Sequence, residues 1–215
     1  MLRIHFVFVG EGPTDNGLVP HLEALCVRAG ASEVSGVVPD FRLLPLHVGH
    51  TVHNKAAAAL RLEPSANLLF VHRDADSRDP SPRYLEIERE LASISGVPLH
   101  VSVVPVQEVE AWLLLDETPI RRVAENPRGT TPLLIPSSMN VENIASPKEQ
   151  LMALLTQANG ASGRRLRKFR EAFPRHRRRL LESLNIDGPL VSVPSWQRLV
   201  QDIEEAVRSL SRNTV

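Results

Sequence analysis

Two apolar runs of strand length, each ending in acids, constrain this chain more than any other feature. The first reads Arg3-Ile4-His5-Phe6-Val7-Phe8-Val9 and exits into Gly10-Glu11-Gly12-Pro13-Thr14-Asp15. The second reads Asn67-Leu68-Leu69-Phe70-Val71-His72 and exits into Arg73-Asp74-Ala75-Asp76. A continuously apolar run is a strand covered on both faces, as in parallel sheets lying between helices. An acid just past such a strand is costly to keep there without a partner. Open parallel sheets take their ligands outside the carboxyl ends of the strands. Glu11, Asp15, Asp74 and Asp76 are therefore expected to converge on a divalent cation at one sheet edge. Two acids spaced as Asp74-x-Asp76 face one side of an extended chain. Mg²⁺ takes a few carboxylates together with waters and substrate phosphates. Ordinary capping and turn formation by the same aspartates is the competing reading.

The remaining chain supplies a scaffold for that edge. Leu18, Leu22, Leu25 and Ala29 repeat at helical spacing, which predicts a helix over about 15–29 stopped by Gly30. A second strand is predicted over Phe41–Leu46, then a loop over His47–His53 and a helix over about 53–62. Ser81-Pro82 starts a third helix, Leu99–Val106 reads as a fourth strand, and Glu108–Leu115 as a short helix. Strands alternating with helices predict an α/β fold with a parallel sheet and right-handed crossovers. Residues 117–146, with Pro119, Pro127, Pro132 and Pro136, read as a long connection. Four helices are predicted after Ser146-Pro147, over about 147–158, 162–173, 175–185 and 195–210. The expected organisation is an α/β domain over 1–116, a Pro-containing connection over 117–146 and a basic helical region over 147–215.

Charge is balanced over the 215 residues but unevenly placed. Residues 1–120 hold 9 Lys/Arg against 16 Asp/Glu, and residues 121–215 hold 16 against 9. Nine of the basic residues fall within 164–179: Arg164, Arg165, Arg167, Lys168, Arg170, Arg175, Arg177, Arg178 and Arg179, with Glu171 the lone acid. That density points to phosphate contacts with nucleic acid. The rival is a basic surface docking on the acidic half. One cysteine, Cys26, excludes an internal disulfide framework and reads as a small buried hydrophobe. No apolar run reaches membrane-spanning length, and no signal-peptide pattern opens the chain, so a cytoplasmic, non-membrane protein is expected.

The Glu11-Gly12-x-Thr14-Asp15 turn, the Asp74-x-Asp76 pair and Val106-Gln107-Glu108-Val109-Glu110-Ala111-Trp112-Leu113-Leu114 together resemble Toprim-like bacterial proteins. These are related to RloB and to the OLD-family nucleases. The resemblance covers roughly residues 1–116, and the segment Leu190–Val207 is similar to the family's late helix. It implies a Toprim-like sheet, with Glu11 as general acid or base and Asp74 and Asp76 as Mg²⁺ (or Mn²⁺) ligands. It would make Asp15 a ligand to a second metal, and it places an additional acid at Glu108 or Glu110. The reaction implied is metal-assisted phosphodiester hydrolysis of DNA or RNA, with a biological role in defence against phage or mobile DNA. A non-catalytic nucleic-acid or protein-binding module and a nucleotide phosphohydrolase are the alternatives.

Other features carry less. His47, His50 and His53 have a zinc-like spacing but no cysteines near them. Lys55 could reach a phosphate, although a surface lysine is the simpler reading. Trp112 and Trp196 read as core anchors. No Gly-x-x-x-x-Gly-Lys-Ser/Thr loop is present, so an ATPase would have to be a partner in trans. A homodimer stays open.

Overall fold

The computed structural model describes residues 1–213. The strands are β1 (Arg3–Val9), β2 (Glu33–Val37), β3 (Leu68–His72) and β4 (Leu99–Val103). They form one parallel sheet in the order β2-β1-β3-β4. The crossovers carry α1 (Val19–Arg28), α2 (Val52–Leu62) and α3 (Ser81–Ala92). The fold is α/β with an all-parallel sheet flanked by helices, as the alternation predicts. Among the described residues no helix is long and apolar enough to cross a membrane.

The chain divides into two compact units. The first comprises residues 1–73, 81–104 and 198 onward. Every residue of β3 is buried, and Phe6 meets Phe70 edge-on at 4.8 Å between ring centroids. Cys26 is buried on α1, and burial pushes its thiol up to about 12, with Glu23 acting in the same direction. The second unit comprises 74–80 and 105–197. It holds α4 (Glu110–Leu113), α5 (Glu117–Val123), α6 (Pro147–Asn159), α7 (Gly163–Glu171) and α8 (Phe173–Glu182). Trp112 is its centre: its indole N–H donates to Ser195 Oγ at 2.9 Å, and its ring meets Trp196 edge-on. The last helix, α9 (Pro194–Asn213), starts in the second unit and belongs to the first from Arg198. The units thus cut across the divisions at 116 and 146 expected from sequence.

Several expected elements differ, and β4 ends at Val103 rather than Val106. The second strand is Glu33–Val37, not Phe41–Leu46. Pro45 inside the expected run cannot donate to a ladder. Phe41–Leu43 is instead a 3-10 turn, capped by Asp40 accepting from the Arg42 N–H at 3.1 Å. β2 hides its character because it contains Gly36 and is half exposed. That glycine is required by a close approach: a Cβ there would sit 2.3 Å from the Phe6 ring. Another difference is α5, which forms inside the expected connection. Asp116 caps it by accepting from the Thr118 N–H at 2.9 Å, and Pro119 falls in the first turn, where no helical N–H is lost. The first helix also opens differently, as a 3-10 turn over Pro13–Leu18 before α1.

Candidate functional site at the sheet edge

β1 and β3 are adjacent, with Val9 opposite Val71, so the Gly10-Glu11-Gly12 turn leaves the sheet level with Arg73. The chain passes from β1 outward to β2, and β3 and β4 lie on the other side of β1. The β1–β3 exit is therefore the topological switch point, where open α/β sheets bind ligands.

The turn is built to hold a tight shape. Gly10 lies so close to its surroundings that a Cβ would be 3.0 Å from Phe8 and 3.1 Å from Asp15 Cβ. Gly12 N–H donates to Asp15 Oδ2 at 2.9 Å, and Asp15 N–H returns a bond to the Gly12 carbonyl at 3.2 Å. Asp15 is buried, and His72 Nε2 lies 3.8 Å from its Oδ2. Lys55, from α2, donates to the carbonyls of Gly10 and Glu11, both at 2.9 Å. Burial pushes the Lys55 pKa down and so does Arg73, while Glu11 and Asp15 oppose the shift. The Glu11 carboxylate pairs with Arg73, Nε to Oε1 at 2.9 Å. Arg73 Nη2 is also 3.7 Å from Glu86 Oε1, and Glu86 pairs with Arg83.

The other acids lie in the second unit. Asp74 Oδ1 accepts from the Val109 N–H at 2.8 Å, so it caps the segment leading into α4. Asp76 has φ +52°, and its N–H donates to the Gln107 carbonyl at 2.8 Å. Gln107, at φ +62°, returns its N–H to Ser77 O at 3.1 Å, which closes a small two-loop clasp. Glu108 Oε2 accepts from the Lys148 N–H at 2.9 Å, at the start of α6. Of the two glutamates, Glu110 is the one that points inward. It is 2% exposed and pairs with Arg177, Nε to Oε1 at 2.7 Å. Burial pushes the Glu110 pKa up and Arg177 opposes it.

Mg²⁺ needs several carboxylate oxygens turned to one point. Here Glu11 is held by Arg73, Asp15 by the turn, Asp74 by a backbone N–H, and Glu110 by Arg177. Among the described residues no three His, Cys, Asp or Glu side chains are arranged to hold a metal ion. As the side chains stand, the donor set does not fit a divalent cation.

The basic cluster is also sorted by the structure. Arg164, Arg165, Arg167, Lys168, Arg170, Arg175, Arg178 and Arg179 are exposed on α7 and α8. Arg167 and Arg178 lie along their own helices towards Glu171 and Glu182, at 3.7 and 2.8 Å. Arg177 is different: its side chain is only 13% exposed and is paired with Glu110. His47 and His50 meet edge-on at 5.9 Å, while His53 Nδ1 is 2.7 Å from Ser93 Oγ.

Sequence reasoning singled out neither Arg73 nor His72, and its simpler reading of Lys55 was a surface lysine, whereas the ammonium donates to the Gly10 and Glu11 carbonyls. The available signal was His72-Arg73 directly before Asp74, a cation placed where strand exits gather acids. Compared with family models, curated proteins and solved structures, the chain matches none.

Proposed function

We propose that this protein cleaves phosphodiesters of DNA or RNA at the β1–β3 edge, as a Toprim-like nuclease. The observation that carries this reading is the register of Val9 with Val71, which puts the Glu11 turn and the Arg73 exit side by side at the switch point. Glu11 is the group to move a proton between water, substrate and leaving oxygen. Arg73 and Lys55 bring positive charge to the same turn, where a phosphate would meet it. A phosphate drawing Arg73 away would leave the Glu11 carboxylate free to act. On the second unit, the exposed arginines of α7 and α8 are suited to phosphate contacts of their own. A Mg²⁺ or Mn²⁺ requirement belongs to the reading through the resemblance alone, and it needs Arg73 displaced from Glu11. Defence against phage or mobile DNA is the role the resemblance carries.

A second reading is a nucleic-acid-binding module without turnover. The Glu11–Arg73 pair favours it, because it neutralises the carboxylate that hydrolysis needs. The two separate in one experiment. Purified protein is incubated with end-labelled single- and double-stranded DNA and RNA, with Mg²⁺, with Mn²⁺ and with EDTA. Cleavage products in the metal arms support the nuclease. Retention of intact strands in every arm supports the binding module, and neither cleavage nor retention removes both.

A further inference from the structure

Beside the Glu11 turn, inside the first unit, lies a cavity of about 830 Å³. Its volume is within the roughly 300–1,000 Å³ of small-molecule sites. One wall is the β1 exit, from Phe8 to Gly12, and the other is the segment from Val38 to His50. That segment presents Phe41, Leu44, Leu46, His47 and His50 to the cavity, and Lys55 stands at the Glu11 end. Leu46 is 80% exposed, so an apolar side chain lines a space open to solvent.

The charges in this space largely cancel. Asp40 and Arg42 bond to each other through two side-chain contacts, at 2.8 and 2.7 Å. The Arg42 guanidinium beside Asp40 holds its carboxyl at about 2. Glu11 is matched by Arg73. What is left is aromatic, imidazole and aliphatic surface, with one cation at the end nearest the turn. Lys55 uses two of its three N–H groups on the Gly10 and Glu11 carbonyls, and an ammonium has a third. A polyphosphate gains little from such a lining. A neutral flat ring carrying a single phosphate at one end matches it, because bases stack on Phe and His faces.

We propose that this cavity receives one unstacked nucleobase next to the phosphodiester at Glu11, so that the substrate is single-stranded nucleic acid. A base inside a duplex is stacked and paired and must first be flipped out to enter such a pocket. The inference rests on the nuclease or binding reading above and specifies the substrate of that same edge.

The test uses the full chain in EDTA, so that the strand stays intact. The probe is a single-stranded oligodeoxynucleotide carrying 2-aminopurine, whose fluorescence falls when the base stacks on aromatic groups, with its duplex as comparison. Wild type should quench the probe and prefer the single strand. Phe41→Ala should lose the quenching and weaken binding by roughly five-fold or more, as the loss of one stacked base does. Leu46→Ser shortens an exposed apolar side chain without adding charge and should act in the same direction without touching the fold. The salt slope should be unchanged in both, since every phosphate-binding cation is kept. Binding that is equal for duplex and single strand, or unaltered in both variants, overturns the pocket inference and leaves the edge reading intact. A wild type that binds no nucleic acid overturns both.

Discussion

Arg73 Nε lies 2.9 Å from Glu11 Oε1, so the acid after β1 is held by a cation after β3. The two residues come from adjacent strand exits, and both side chains are partly open to water. The pair is thus an interaction that a ligand can exchange at modest cost.

Arg73→Gln should shift stability by no more than about 1 kcal/mol, the usual range for a partly exposed pair. It should also free Glu11, so Mg²⁺ should bind the variant more tightly than wild type. Calorimetric Mg²⁺ titrations of the two proteins, with melts for stability, read both quantities. Equal absence of binding heat in both would mean that Arg73 is not what keeps a cation away.

The buried pair in the second unit should behave differently. Arg177→Ala leaves the Glu110 carboxylate buried without its partner and should cost about 3–5 kcal/mol in a denaturant titration. A loss below about 1 kcal/mol would show that the pair is dispensable to folding.

Glu110 also gives a pH signature. Its folded pKa is raised above the ordinary 4.5, with burial the leading cause. The folded state therefore binds this proton more tightly than the unfolded one. The stability that follows is fully present below the ordinary pKa and is lost as pH rises through the raised value. Glu110→Gln should remove that component, so the variant should gain on wild type as pH climbs from 4.5. Parallel stability curves for the two proteins across that range would contradict it.

Asp74 and Asp76 separate capping from backbone strain. Asp76→Asn should melt like wild type, because asparagine tolerates the left-handed φ of +52°. Asp76→Val should lose about 1–3 kcal/mol at the same position. Asp74→Ala deletes the acceptor for the Val109 N–H and should lose about 1 kcal/mol. Thermal melts rank the three.

In the basic cluster, Arg164, Arg165 and Lys168 are exposed, whereas Arg177 is paired with Glu110. Changing these three to Ala should lower the salt slope of nucleic-acid binding by about 1 for each phosphate no longer neutralised. An unchanged slope would assign the cluster to solvent.

How legible each part was follows from the range of the interactions. β1 and β3 were readable because both faces are covered and their residues are apolar without interruption. β2 was not, since Gly36 is explained only by the Phe6 ring from the neighbouring strand. Positions of the acids followed from where strands end, but their partners did not. Arg73 meets Glu11 across 62 positions, and Arg177 meets Glu110 across 67. Such pairs leave no local pattern, so the ion-paired state of Glu11 and Glu110 could not be read from their positions alone. Within the basic run, the half-buried position of Arg177 was equally invisible, because its neighbours Arg178 and Arg179 have the same chemistry and are exposed.

Proton transfer by Glu11 on a phosphodiester is the step on which the proposed function turns. Its most direct measurement is the rate of product release from labelled single-stranded DNA and RNA, in Mg²⁺, by wild type and by Glu11→Gln, with binding of the intact strand measured in EDTA. Wild type should cleave, the variant should be slower by roughly a hundredfold or more, and binding should survive the change. A Glu11→Gln protein that cleaves at the wild-type rate would contradict it.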